Sequence, residues 1–203
     1  HLAAVFNPPG HLLVDHRTYV FCSDGDLMEG ASHEAASLAG HLKLGKLIVL
    51  YDDNHITIEG DTELAYSDDV VKRFEAYGWH VQNLGDQAND LGAIEAAFRT
   101  AQEQAERPAL IVLRSHIAFG APHAQDTKEA HGAPLGADEA RLTKRNYGWP
   151  PDSEFIVPDR ALEHMRSAQS RGEALVAAWQ ERLGAYGQAH PVLAQRFEHA
   201  LAG

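Results

Sequence analysis

Two short runs constrain this chain most: Leu47-Ile-Val-Leu-Tyr51 and Ala109-Leu-Ile-Val-Leu113 are apolar along their whole length. Strands buried on both faces read this way, and that pattern belongs to parallel sheets covered by helices. A third β-rich run, Thr18-Tyr-Val-Phe-Cys22, precedes them, and Trp79 to Leu84 reads as a fourth. Between the runs lie helical stretches. Ser32 to Lys43 opens on a capping residue, has Glu34 near its start and stops at Gly45. Asp68 to Tyr77 is helical, and Asp90 to Glu106 places Leu91, Ile94, Ala97, Phe98 and Ala101 on one face before Pro108. The expectation is an α/β fold: a parallel sheet, helices on both faces, right-handed crossovers.

Ligands in such sheets sit at the carboxyl ends of the strands. That directs attention to Ser23-Asp-Gly25, Asp52-Asp-Asn54 and Ser115 to Gly120. Gly120 to Leu135 reads as a long loop rich in Pro, His, Asp and Gly, and loops of that length are usually functional. After Pro150-Pro151 the chain becomes rich in Ala, Glu, Arg and Gln. Residues 1–157 are therefore expected to form one domain, and 158–203 a helical segment or a linker toward a further domain.

Composition narrows the function. A formal net charge of -12 repels nucleic acid and anionic membrane, so neither is expected as a partner. No apolar run reaches the ~18 residues of a membrane span, and His1 to Gly10 has no basic leader. The single cysteine, Cys22, allows neither an internal disulfide nor a cysteine zinc site, which fits a cytoplasmic setting. On its apolar strand Cys22 is expected to be a buried, inert packing residue.

Asp24 and Asn54 stand 30 positions apart, each just beyond a strand of one βαβ unit. A carboxylate, an amide oxygen and a nearby carbonyl suit magnesium or calcium, which prefer oxygen donors. Magnesium completes its shell with phosphate oxygens and water. Gly25 lets a phosphate approach the backbone.

Longer stretches carry a specific resemblance. Ser23-Asp-Gly-Asp-Leu-Met-Glu-Gly30, His33-Glu34, Leu42-Lys-Leu-Gly-Lys46 and Tyr51-Asp-Asp-Asn-His-Ile-Thr-Ile-Glu-Gly60 resemble the cofactor-binding segment of transketolases. His16-Arg-Thr-Tyr-Val20, Arg73-Phe-Glu-Ala-Tyr-Gly-Trp-His-Val81, Phe119-Gly120 and His131-Gly-Ala-Pro-Leu-Gly136 extend it, in order, over essentially the whole chain. The resemblance implies a thiamine diphosphate-binding fold in which Asp24, Asn54 and the carbonyl of Ile56 hold magnesium, with calcium as an alternative. It implies that Gly25 meets the diphosphate and that Ile58 and Ile117 lie beside the cofactor rings. Glu29 and Glu34 would link two active sites across a homodimer interface, and His131 would contact the diphosphate and a substrate oxygen. Glu29, Glu34 and His131 are thus the implied catalytic set. The implied activity moves a two-carbon ketol unit from a ketose phosphate to an aldose phosphate in the pentose phosphate pathway.

Two departures stand out. The motif usually opens on glycine where this chain has Ser23, which would restrict the backbone if that position needed a positive φ. The upstream histidines and the second domain of the family are absent, including the glutamate that ionises the aminopyrimidine. The 203 residues alone are therefore expected to be inactive. Deoxyxylulose phosphate synthase and 2-oxoacid dehydrogenase components share the Asp–Asn metal logic, and a non-catalytic dimerising remnant is a reading of another class. The Tyr77-Gly-Trp79 and His131 contexts favour transketolase. Of the 13 histidines, His33, His41, His55 and His80 are read as structural or surface residues.

Overall fold

The computed structural model describes residues 1–203. The chain folds into two compact units, Arg17–Asp152 and the combination of His1–His16 with Ser153–Gly203.

The larger unit holds a four-stranded parallel sheet of β1 (Thr18–Ser23), β2 (Leu47–Asp53), β3 (His80–Asn83) and β4 (Ala109–Arg114), in the order β1-β2-β4-β3. Between β1 and β2 run α2 (Asp24–Met28) and α3 (Gly30–His41). α4 (Val70–Ala76) leads to β3, and α5 (Leu91–Glu103) leads to β4. Beyond β4 come α6 (Glu129–Gly132) and α7 (Ala137–Asn146). The pleat sends alternate side chains to opposite faces. Val49, Tyr51, Leu110 and Val112 pack with Leu27, Ala36, Ala39, Val70 and Phe74, so α2, α3 and α4 cover one face. Ile48, Ala109 and Ile111 pack with Ala97 and Ala101 of α5 on the other. The expected parallel sheet with helices on both faces is what the chain forms.

Within these 203 residues β1 stands at one end of the strand order, with Thr18 to Phe21 exposed and Cys22 half-buried. One local expectation needs correction. Ser32 does not cap α3. The helix starts at Gly30 with Glu29 in the N-cap position, and the Ser32 hydroxyl donates to the Glu29 carbonyl at 2.7 Å.

In the smaller unit, α1 (Leu2–Phe6), α8 (Asp159–Ala189) and α9 (Pro191–Ala202) bury Phe6, Leu13, Val14, Tyr186, Ala194 and Phe197 together. The tail is helical, broken once where Pro191 opens α9. No helix is long and apolar enough to cross a membrane.

Candidate active site

β1 delivers Ser23 directly into α2. Ser23 is extended, at φ -122° and ψ -176°, so serine in the place of glycine carries no backbone strain. Its N–H and hydroxyl both donate to the Asp26 carboxylate, at 2.8 and 3.2 Å, which anchors the start of the short helix.

Asp24 follows and is only 2% exposed. Its Oδ1 accepts the Tyr51 hydroxyl at 2.5 Å, and its Oδ2 accepts the His55 N–H at 3.0 Å. Burial pushes this carboxyl above its usual range; the Tyr51 hydroxyl pulls it back, and Asp53 pushes it further up. The same hydroxyl lies 3.0 Å from Asp53 Oδ1, so one proton serves two carboxylates. Burial, reinforced by Asp24, also drives the Tyr51 phenol upward. The His55 Nε2 stands 3.2 Å from Asp53 Oδ1.

β2 delivers Asn54, 8% exposed, at a matching depth. Its Oδ1 accepts from the Ile56 N–H at 2.9 Å, a turn closed across His55, which takes φ +64°. Its Nδ2 donates to Asp52 at 3.1 Å. Ile56 then pairs with Asp61 across a tight hairpin in which the Thr57 N–H and hydroxyl both bond the Gly60 carbonyl. The hairpin leaves Ile58 72% exposed at the rim.

A cavity of about 500 Å³ brings together Gly25, Glu29, Asn54, Ile56, Ile58 and His131, six residues that the sequence singled out. A Cβ on Gly25 would meet open space, so the backbone there is accessible to a ligand. His131 arrives from α6, at the end of the long loop, and is exposed.

Three expected residues lie elsewhere. Asp24 lines a neighbouring cavity of about 580 Å³ with Tyr51, Asp53, His55 and Tyr66; Thr62 borders both spaces. Glu34 sits in a shallow groove on α3 with His33, His41 and Tyr77. Ile117 is half-buried and lines neither cavity; its carbonyl accepts from the Asp126 N–H at 3.1 Å.

The donor set fits a hard cation. The groups that hold the buried Asp24 carboxylate are a hydroxyl and a peptide N–H, neither charged. A buried carboxylate without a charged partner is costly, and a divalent cation offsets that cost. No three His, Cys, Asp or Glu side chains cluster to hold a metal. The donors at hand are the Asp24 carboxylate with Asp53 beside it, the Asn54 amide and backbone carbonyls, and phosphate oxygens would complete such a shell.

Two residues escaped the reading of the sequence. Tyr51 looked like the last apolar residue of a strand, although a buried tyrosine needs a partner for its hydroxyl. Arg73 sat inside a helix with no visible partner, yet its guanidinium reaches Leu27, His33 and Asp68. His33, read as structural or surface, is one of those partners.

The family described as "Transketolase, thiamine diphosphate binding domain" matches residues 1–203. The transketolase of Geobacillus stearothermophilus is 47% identical over 204 residues, which is 100% of this chain and 30% of that protein. Transketolase 2 of Escherichia coli is 48% identical, with the same shares covered. The transketolase of Pichia stipitis, solved in complex with sedoheptulose 7-phosphate, superposes with a TM-score of 0.93 at 40% identity, over 99% of this chain and 30% of that one. The chain thus spans about 30% of the length of these relatives.

Proposed function

Since the chain belongs to the family of transketolase thiamine diphosphate-binding domains, we propose that it forms the diphosphate- and metal-binding part of a transketolase. The observation that carries this reading is the cavity joining Gly25, Asn54, Ile56 and His131 beside the buried carboxylate of Asp24. Asp24, Asn54 and the Ile56 carbonyl hold magnesium, with calcium able to replace it, and the Gly25 backbone receives the diphosphate. Ile58 offers an apolar wall at the rim, while a place for Ile117 beside the ring rests on the family resemblance alone, since it lines neither cavity. His131, exposed on the cavity wall, takes or returns a proton at a substrate oxygen.

Thiamine diphosphate, when bound, supplies the stabilised carbanion that two-carbon transfer requires, while the protein supplies orientation and electrostatics. The substrates in this reading are ketose and aldose phosphates. Glu29 and Glu34 link two sites in a homodimer; Leu38 and Leu42, 56% and 55% exposed on the same helical segment, give it apolar surface to cover. A cytoplasmic setting and a place in the pentose phosphate pathway belong to the same proposal.

The test is calorimetric titration of magnesium and thiamine diphosphate into the protein and into Asp24→Asn. Magnesium-dependent binding that the substitution abolishes supports the reading. Equal binding by both proteins, or none by either, sinks it. Two-carbon transfer from xylulose 5-phosphate to ribose 5-phosphate, assayed in the complete polypeptide, tests the activity.

A further inference from the structure

We infer that Arg73 is a positioning residue for the cofactor site, holding the short helix that carries Asp24 and Gly25 in place. The inference rests on the reading that this site takes thiamine diphosphate and a divalent cation.

α2 has five residues, far below the ~12–15 at which an isolated helix becomes marginally stable in water. Its geometry is therefore set from outside. At its start, Asp26 clasps Ser23. Towards its end, Arg73 Nη2 donates to the Leu27 carbonyl at 3.2 Å, while the Leu27 side chain is buried in the core. Arg73 Nη1 donates to Asp68 at 2.8 Å and faces His33 Nε2 at 3.1 Å.

A guanidinium can only donate, so His33 presents a lone pair at Nε2 and carries its proton on Nδ1. That Nδ1 faces the Tyr77 hydroxyl at 3.3 Å. The Arg73 side chain is only 11% exposed, and its charge lies 5.8 Å from the Tyr66 ring centre and 5.6 Å from that of Phe74.

One side chain thus ties α4 to α2, to α3 and to the segment holding Tyr66 and Asp68, which line the cavity beside Asp24. Its loss frees the end of α2 and that wall together. Asp24 and Gly25 lie within one helical turn of Leu27, so their oxygens and amide lose their fixed placement. Lysine cannot replace this arrangement, because a single ammonium lacks the planar fork that meets acceptors in several directions.

The test compares Arg73→Met, Arg73→Lys and Ile111→Val with the unmodified protein. Ile111 packs on the α5 face of the sheet and costs stability without touching α2. Affinity for thiamine diphosphate with magnesium is read by calorimetry, and cofactor KM and kcat are read in the complete polypeptide. Arg73→Met should weaken binding by about 10- to 100-fold, the range seen when residues supporting metal ligands are removed. KM for the cofactor should rise in proportion while kcat at saturating cofactor holds. Arg73→Lys should recover only part of the loss, and Ile111→Val should leave affinity unchanged.

The inference is overturned if Arg73→Met binds like the unmodified protein, if Ile111→Val weakens binding equally, or if lysine restores it in full. Should Arg73→Met fail to fold, Arg73→Lys and Arg73→Gln carry the same comparison. Absence of binding by the unmodified protein would fell the functional reading itself. Normal binding by Arg73→Met alongside loss in Asp24→Asn would fell this inference alone.

Discussion

The Tyr51 hydroxyl donates to the buried carboxylate of Asp24 at 2.5 Å, joining the end of β2 to the first residue of α2. The two residues are 27 positions apart, and neighbouring parallel strands bring them together. Tyr51→Phe removes the hydroxyl and leaves Asp24 only the His55 N–H. A buried acceptor stripped of a donor costs about 1–3 kcal/mol. Urea denaturation without divalent cations should show that loss, and saturating magnesium should narrow the gap if a cation sits on Asp24. An unchanged midpoint would mean that the hydroxyl supports nothing.

Gly40 sits where α3 crosses the end of α4. A Cβ there would lie 1.8 Å from the Tyr77 carbonyl oxygen, a backbone atom that cannot swing away. Gly40→Ala must therefore push the helix off the chain between α4 and β3, and overpacking of this kind typically costs about 1–3 kcal/mol. A lower denaturation midpoint is the expected result; retention of the original midpoint would show that α3 can slide freely.

Glu139, on α7, accepts from the backbone N–H groups of His123 and Ala124 at 2.7 and 3.1 Å and pairs with the His123 ring at 2.8 Å. The hydrogen bond from His123 holds its carboxyl below the usual range. A depressed folded value means the contribution is fully present above the free-chain range of ~4.3 and is lost as pH falls through the lower folded value. Hydrogen-exchange protection of the His123 and Ala124 amides should fall across that window. In Glu139→Ala, which leaves both amides without that acceptor, protection should be low and flat with pH.

Cys22 lies half-buried among Asp26, Asp24 and Asp52. Burial first, and those carboxylates second, push its thiol up to about 12. The thiolate is the reactive form, so at pH 8 the reactive fraction is roughly a thousandfold smaller than for a free cysteine of pKa ≈ 8.5. Iodoacetamide should label the folded protein slowly and label the urea-unfolded chain at the ordinary rate. Fast labelling of the folded protein would contradict that environment.

The amino-acid order alone sets the alternation of strands and helices, because apolar runs and helical periodicity are local patterns that survive in any tertiary context. It also places Asp24, Gly25 and Asn54 just beyond strand ends, since their distance from each apolar run can be counted. The family resemblance adds Ile56, His131, Glu29 and Ile58 to the residues that line the cavity. The position of β4 between β2 and β3 emerged only in the folded chain. Strand order is settled by pairing between residues far apart in the chain, which no window of sequence records. The partners of Asp24 and Arg73 were hidden for the same reason. A tyrosine ending one strand and an arginine inside a helix acquire their roles only when the sheet brings distant oxygens within hydrogen-bond reach, and burial then makes each unpaired group costly.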